Sequence, residues 1–263
     1  MPPTRRLLAF IGIGLVVGFM SGLFGVGGGV LIVPALVLLL RFEQKVATGT
    51  SLLAVAPIAV VGTIAYGVEG HIDWTVSLFL AIGMVVGGVL GSWLLVRIRT
   101  VVLAWAFVAV LIATAVRMFL ADPARGTVHV VDAAEVVVLI AIGVLVGVLS
   151  GLLGVGGGIV IVPTLVVLFG LDDLFAKGAS LVALLPNSVI ASILNLRRRN
   201  GDLAAAIAIG LAGAATAWPG MLLAEFLEPR IASMLFGAFL LAIAAQLAVR
   251  TWRRSQRRPG AAG

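Results

Sequence analysis

The sequence predicts an all-α polytopic membrane protein made of two homologous inverted repeats of about five helical segments each. Of the 263 residues, 62% are hydrophobic and 11% are charged, whereas soluble domains are about half apolar and about a quarter charged. Apolar stretches of about 20 residues, long enough to cross a bilayer, recur along the chain. No long stretch alternates apolar and polar residues as a membrane β-strand would. The third observation is an internal repeat at a spacing of 129 residues.

The repeat is clearest in a glycine-rich segment. The stretches Ser21 to Leu39 and Ser150 to Leu168 share 14 of 19 residues without a gap. Further on, ATGTSLLA from Ala47 corresponds to AKGASLVA from Ala176. The matches divide the chain into a first transmembrane repeat (1–120), an extracytoplasmic linker (121–134), a second transmembrane repeat (135–250) and a basic cytoplasmic tail (251–263).

Each repeat contains five predicted helical segments. They are 6–23, 29–41, 46–67, 74–96 and 101–120 in the first repeat, and 135–152, 158–170, 175–196, 203–224 and 231–249 in the second. One helix over residues 6–41 would be about 54 Å long, far longer than a hydrocarbon core of about 30 Å. The glycine cluster therefore predicts a broken or re-entrant first hairpin in each repeat. Because the first segment recurs in the second repeat, we expect a retained span and not a cleaved signal peptide.

The basic residues favour an odd number of crossings per repeat. If each glycine break reverses the chain and the N-terminus is cytoplasmic, 14 of the 18 basic residues lie inside. Four crossings per repeat would place only 12 of the 18 inside. The positive-inside rule favours five crossings per repeat. An odd number of crossings places the second repeat in the membrane with the opposite orientation to the first. The expected location is the bacterial cytoplasmic (inner) membrane, with both termini in the cytoplasm.

The glycine clusters are the first candidate for binding. Glycine weakens a helix interior by about 1 kcal/mol relative to alanine, and a break frees backbone N–H groups. The N–H groups that begin the next helix carry about half a positive charge, which suits an anion. The predicted substrate-binding glycines are Gly25, Gly27, Gly28 and Gly29, with Gly154, Gly156, Gly157 and Gly158 in the second repeat. The alternative is a tight hairpin in which the glycines only allow close packing.

Small and hydroxyl residues open the next helix of each repeat. The candidates are Thr48, Gly49, Thr50 and Ser51 in the first repeat, and Lys177, Gly178 and Ser180 in the second. Hydroxyls and free N–H groups suit oxyanion coordination, but Ser and Thr also cap helix starts. Lys177 stands where the first repeat has Thr48, and it could attract an anion or snorkel to the interface.

A few polar side chains fall inside apolar segments. Asn187 and Asn195, with Ser188 and Ser192, have a spacing that favours one helix face, and they line a pathway or form interhelical hydrogen bonds. The small-residue ladders at Gly14/Gly18/Gly22, Gly83/Gly87/Gly91 and Gly143/Gly147/Gly151 predict close helix packing. A further set of polar residues, Glu69, His71 and Asp73, is expected in a solvated loop.

The sequence contains no recognisable set of residues for hydrolytic or redox catalysis. It contains no cysteine, no buried carboxylate pair and no His beside a Ser, so no catalytic residue, metal site or cofactor is predicted. The cluster GVGGGV lacks the Lys-Ser/Thr of a phosphate-binding loop. The net charge is +7, but the basic residues lie next to apolar spans. This position indicates that they set the membrane topology and do not bind nucleic acid.

These motifs, in this order in both halves, resemble the TauE/SafE family of sulfite and organosulfonate exporters. The resemblance rests on GLFGVGGGVLIVPAL, ATGTSL and the later Y-x-x-x-G-x-ID-W, and it runs through nearly the whole chain. It implies an inner-membrane permease for small sulfur-containing oxyanions such as sulfite, sulfoacetate or sulfolactate. The second copy, AKGASL, departs from the usual Thr-Ser pattern at Ala179.

The expected function is a secondary transporter, in the direction of export, for a small sulfur-containing oxyanion. Alternating access between the repeats would move the anion, and a coupling proton or cation and a homodimer are both compatible with the sequence. The rival readings are a passive anion channel, a transporter of another small anion, and a membrane scaffold that transports nothing. The partners expected in every case are the lipid bilayer and, except for the scaffold, a small anion.

Overall fold

The computed structural model describes residues 3–94, 100–120, 132–153, 157–197 and 200–256. Within these ranges the regular elements are ten α-helices, five in each repeat, which confirms the predicted segments. They are α1 (Pro3–Phe24), α2 (Gly29–Leu39), α3 (Gln44–Val68), α4 (Trp74–Leu94), α5 (Thr100–Leu120), α6 (Ala133–Leu153), α7 (Gly158–Phe169), α8 (Asp173–Arg197), α9 (Leu203–Phe226) and α10 (Pro229–Gln256). The last helix extends into the expected tail. Linker residues 121–131 and tail residues 257–263 lie outside the described residues.

The chain is a polytopic all-α membrane protein. Six of the described helices, namely α1, α3, α6, α8, α9 and α10, contain a sufficiently long and apolar stretch to cross a bilayer. In contrast, α2 and α7 have 11 and 12 residues, which is about half the length that a span requires. These two half-length helices are the ones that follow the glycine clusters.

The small-residue ladders join helices of different repeats. A β-carbon at Gly14 would lie 2.5 Å from the Ile209 carbonyl oxygen, and one at Gly18 would overlap the backbone of Gly213. Residue numbers rise together along both helices, so α1 and α9 run parallel. The same holds for α4 and α6, where Gly83 and Gly87 lie against Ile140 and Val144. The predicted packing role is confirmed, and the Gly83 ladder is used within the chain. Gly91 and Gly151 are outside the part of the chain whose surroundings are described.

The central helices of the two repeats, α3 and α8, run antiparallel. A β-carbon at Gly62 would lie 2.9 Å from Leu181, whereas the Ser192 hydroxyl donates to the Leu52 carbonyl oxygen at 3.2 Å. Next to this pair, α3 runs parallel to α9, because the Asp202 N–H donates to Thr50 and Pro57 lies against Gly210. The third helices of the two repeats, α3 and α8, therefore point in opposite directions.

Basic residues gather at one end of the bundle. The Arg6 guanidinium lies 5.1 Å from the ring centroid of Phe42, so the start of α1 and the end of α2 share this end. Gly49, near the start of α3, lies against Asn200 just beyond α8. Arg41, Lys45 and Arg197 belong to the same end by their positions on these helices. Both half-length helices begin deeper in the bundle, where the site lies.

Candidate functional site

The first glycine break separates α1 from α2. The helix α1 ends at Phe24, and Gly28 caps α2 in the left-handed conformation, with φ of 80°. The N–H groups of Leu31 and Ile32 donate to the Gly28 carbonyl oxygen at 3.0 and 3.1 Å. Left-handed backbone is costly for residues with a β-carbon, which explains why the sequence places glycine here. All residues from Gly25 to Val30 are buried.

The helix α7 begins with the same cap geometry as α2. Gly157 caps α7 with φ of 81°, and the Val160 N–H donates to its carbonyl oxygen at 3.1 Å. Gly158 is the first residue of α7 and is buried. The two other predicted glycines of this cluster, Gly154 and Gly156, lie outside the described residues.

The two breaks meet in the centre of the bundle. A β-carbon at Gly158 would lie 2.9 Å from the carbonyl oxygen of Val26, and 2.9 Å from a methyl group of Leu184. The same methyl group would lie 2.6 Å from a β-carbon at Gly27. One leucine of α8 thus covers both breaks, and the positive ends of α2 and α7 converge beneath it.

Of the hydroxyls that open α3, one faces the first break. Ser51 donates to the Gly29 carbonyl oxygen at 3.3 Å, and both residues are buried. Thr50 instead accepts a hydrogen bond of 2.9 Å from the Asp202 N–H, and Gly49 lies against the Asn200 carbonyl. Thr48 is half-buried one turn after the start of α3. Because α3 begins at Gln44, after Glu43, these hydroxyls are not helix caps, and the capping alternative is wrong.

Two buried hydroxyls beside the breaks lack a hydrogen-bond partner among the described residues. Ser180 stands at the position in α8 that Ser51 holds in α3, one turn before Leu184, and it is fully buried. Ser21 is also fully buried, four residues before Gly25, whose N–H donates to its carbonyl oxygen. A buried hydroxyl without a partner is unfavourable by about 1–3 kcal/mol. Both therefore suit a polar ligand held at the breaks.

The two predicted asparagines differ in their distance from the breaks. Asn187 is buried and donates to the Ser150 hydroxyl at 3.3 Å. The β-carbon of Ser150 in turn would lie 3.3 Å from one at Gly157, which places Asn187 beside the second break. Asn195 donates to the Ala191 carbonyl oxygen of its own helix and lies against Gly49 at the basic end.

Lys177 lies beside the first break and does not snorkel. Its side chain is 3% exposed, and its ammonium group forms an ion pair of 2.8 Å with Asp173. A β-carbon at Gly25 would lie 2.7 Å from the Lys177 α-carbon. The next residue, Gly178, packs against the His71 carbonyl oxygen. The lysine of the second repeat is therefore brought to the break of the first.

Sequence reasoning missed two residues of this region, Tyr66 and Asp173. The Tyr66 hydroxyl donates to the Gly22 carbonyl oxygen at 2.8 Å, which satisfies a carbonyl left free by the end of α1. Tyr66 is the only tyrosine of the chain, and its place within an apolar helix was a usable signal. The position of Asp173 four residues before Lys177 was the signal for the ion pair.

The loop between α3 and α4 is only partly solvated. Asp73 accepts hydrogen bonds of 3.0 Å from the N–H groups of Thr75 and Val76, and so caps α4. The His71 ring packs edge-on against Phe175, and its Nε2 lies 3.7 Å from a Glu225 carboxylate oxygen. Glu69 is exposed. No group of three potential metal ligands lies together in the described part of the chain.

The ten helices of the described residues, two of them half-length with buried N-termini, are those of a multi-pass membrane protein. The family model for the sulfite exporter TauE/SafE matches residues 2–118 and 138–263. The chain belongs to the TauE/SafE family.

Several relatives support this class. A probable membrane transporter protein of Xylella fastidiosa is 28% identical over 253 residues, which cover 94% of this chain and 97% of the relative. The probable membrane transporter protein YunE of Bacillus subtilis is 38% identical over 115 residues, 42% of each chain. A probable membrane transporter protein of Methanocaldococcus jannaschii is 33% identical over 159 residues, 58% of this chain and 59% of the relative. No solved structure matches. The family and the names of these relatives indicate a membrane transporter.

Proposed function

We propose that the protein is a secondary transporter that exports a small sulfur-containing oxyanion, such as sulfite or an organosulfonate, across the bacterial cytoplasmic membrane. One observation carries the proposal. The N-termini of α2 and α7 converge where Val26 contacts Gly158, beneath Leu184. Two partial positive charges and free N–H groups in a buried place suit an oxyanion without needing a basic side chain.

The directions of the helices support alternating access between inverted repeats. The helices α3 and α8 run antiparallel, as expected if the two repeats present their breaks to each other from opposite sides of the bundle. Inverted repeats with half-helix N-termini at a central site are a common plan of secondary transporters. Rocking one repeat against the other about Leu184 would open the breaks first to one side and then to the other.

The charges support an orientation with both termini in the cytoplasm. Arg6, Arg41 and Arg197 belong to the same end of the bundle, and this end holds the N-terminus. The positive-inside rule assigns such an end to the cytoplasm. With this orientation an inside-negative potential favours anion export by about 2.3 kcal/mol per charge per 100 mV.

A screen of purified protein tests the function. Sulfite, sulfate, thiosulfate, sulfoacetate and taurine are compared by thermal shift in detergent and by flux from loaded proteoliposomes. A transporter gives a thermal shift and saturable flux for at least one oxyanion. Flux that does not saturate, with conductance in planar bilayers, would establish the channel instead. If no anion gives either a shift or a flux, the protein is a scaffold and the proposal is wrong.

Serine variants separate binding from packing. Ser51→Ala and Ser180→Ala remove hydroxyls beside the breaks, so each should raise the KM for the transported anion about 2- to 12-fold. Thr50→Val is the matched control, because the Thr50 hydroxyl accepts a hydrogen bond from the Asp202 N–H and does not face a break. We expect it to lower stability by about 1–3 kcal/mol with an unchanged KM. If all three variants have the same KM as the wild type, the two serines do not contact the transported anion.

A further inference from the structure

Three buried hydroxyls on three different helices have no hydrogen-bond partner among the described residues. They belong to Ser21 of α1, Thr63 of α3 and Ser180 of α8. Both serines are fully buried, and the Thr63 oxygen is buried within a half-buried residue. A buried hydroxyl without a partner is unfavourable, so three of them at one level of the bundle would call for a shared polar ligand.

Contacts between α1 and α8 bring the two serines to one level. A β-carbon at Gly25 would lie 2.7 Å from the Lys177 α-carbon. The two helices run antiparallel, since α1 and α3 both run parallel to α9 and α3 runs antiparallel to α8. Ser21 precedes Gly25 by one turn, on the face that contacts α8. Ser180 follows Lys177 by three residues, on the face of α8 that contacts α1, so the two serines lie opposite each other.

The helix α3 brings Thr63 to the same level. The Tyr66 hydroxyl donates to the Gly22 carbonyl oxygen at 2.8 Å, and a β-carbon at Gly62 would lie 2.9 Å from Leu181. These two partners, Gly22 and Leu181, directly follow the two serines in the sequence. Thr63 stands three residues before Tyr66 and therefore shares the face of α3 that turns to α1. The three hydroxyl-bearing residues thus form one hydroxyl layer.

The surroundings of the hydroxyl layer favour a cation over an anion. The helix α1 ends at Phe24, so its last turn, which contains Ser21, carries the negative end of the helix dipole. The Tyr66 hydroxyl uses its only proton on Gly22 and presents lone pairs to every other group. An anion in the layer would face these lone pairs and the negative helix end, whereas a cation is attracted by both.

The neutral oxygens of the layer suit an alkali-metal cation. Ca²⁺ and Mg²⁺ are bound mainly through carboxylates, and transition metals prefer imidazole or thiolate ligands. Over the described ranges, no three His, Cys, Asp or Glu side chains come together. In many transporters the C-terminal end of an interrupted helix holds Na⁺, and α1 is interrupted at this place.

The hydroxyl layer is close to the place where the two glycine breaks meet. Ser180 precedes Leu184, which contacts both breaks, by four residues, or about 6 Å along α8. We propose that the hydroxyl layer binds one alkali-metal cation, Na⁺ or K⁺, and that this cation strengthens the binding of the anion at the breaks. Opposite charges at this separation attract each other in a buried site. The coupling rests on the proposed function, whereas the binding of the cation does not.

The first test measures the melting temperature of the purified protein in choline chloride, NaCl or KCl at equal ionic strength. The wild type should gain about 5 °C from NaCl or KCl at about 100 times the Kd of the cation. Ser21→Ala and Thr63→Val each remove one oxygen ligand and should lose most of this gain. In choline chloride both variants should melt at or above the wild-type temperature, because each loses a hydroxyl that had no partner.

Ser77→Ala is the matched control for the melting test. Ser77 is also fully buried, but its hydroxyl donates to the Asp73 carbonyl oxygen. Its removal should lower the melting temperature in choline chloride and leave the gain from the cation intact. A purely structural role of Ser21 would make Ser21→Ala behave like this control.

The second test measures the coupling to the anion. Sulfoacetate, added as its choline salt, should bind the wild type about 10- to 100-fold more tightly in the effective salt than in choline chloride. Because coupling is reciprocal, sulfoacetate should also tighten the binding of the cation by the same factor. Ser21→Ala should reduce the factor to about twofold or less, and Ser77→Ala should keep it.

The outcomes separate this inference from the proposed function. Equal wild-type melting temperatures in all three salts would overturn the inference and leave water as the ligand of the layer, while anion flux in choline medium would still support the transporter. A full gain in both Ser21→Ala and Thr63→Val would place the cation elsewhere and overturn the inference as well. If a cation stabilises the wild type through these residues but no anion gives a shift or a flux, the proposed function is wrong and the cation site stands.

Discussion

Replacing Gly28 or Gly157 with valine will abolish transport while the protein stays in the membrane. Both glycines cap half-length helices with φ near 80°. A β-branched residue in this conformation is strained by about 1–3 kcal/mol. At Gly28 the new side chain would also overlap Val17, and at Gly157 its β-carbon would lie 2.7 Å from Val146. Relief of either clash turns the first N–H groups of α2 or α7 away from the point where the breaks meet.

The measurement is flux into proteoliposomes, normalised to the amount of reconstituted protein. Gly70→Val is the matched control, because Gly70 has φ of 75° in an exposed turn with nothing within 4 Å of a β-carbon. It carries the same backbone strain in an exposed turn that belongs to neither break, and it should transport at the wild-type rate. Normal flux in both the Gly28 and Gly157 variants would show that the breaks serve packing only.

Leucine at Gly18 or Gly87 will prevent the bundle from assembling. Here the clash is between backbones, since β-carbons would overlap the carbonyl oxygens of Gly213 and Val144. Separating two helices along a shared face is more disruptive than ordinary overpacking, so we expect at least about 3 kcal/mol of destabilisation. In practice the variant protein should be lost from the membrane or elute as aggregate from size-exclusion chromatography.

Gly12→Leu is the control on the same helix. Gly12 is exposed, and nothing lies within 4 Å of a β-carbon there. A leucine at this position faces outward and improves helix propensity, so yield and melting temperature should match or exceed those of the wild type. If Gly18→Leu behaves like Gly12→Leu, the contact between α1 and α9 is not the one that assembles the bundle.

The helical segments could be predicted from the sequence because their causes are local. An apolar stretch of about 20 residues must form a helix in hydrocarbon, where every backbone polar group needs a partner. The glycine clusters predict where each apolar stretch is interrupted, and the left-handed residues that cap α2 and α7 are two of these glycines, Gly28 and Gly157. The duplication supplied the remaining information, because each element was seen twice.

The candidate site was predicted less completely, since contacts across the bundle decide which hydroxyl faces which group. Thr50 and Ser51 are neighbours in the sequence, yet Thr50 accepts a hydrogen bond from the Asp202 N–H and Ser51 donates one to the Gly29 carbonyl oxygen. Asn187 and Asn195 share a helix, yet only Asn187 lies beside a break. Helical periodicity gives the direction of each side chain but not the identity of the neighbouring helix.

By itself, the sequence determined a polytopic helical protein of two repeats, with breaks at two glycine clusters. These features follow from hydrophobicity, backbone freedom and charge beside the spans, all of which act within one segment. Only the tertiary structure decided that α1 pairs with α9 and α4 with α6, that Val26 meets Gly158, and that Lys177 is buried against Asp173. The physical reason is that each of these contacts joins segments distant in the sequence, and close packing selects among partners that look equally apolar from the sequence.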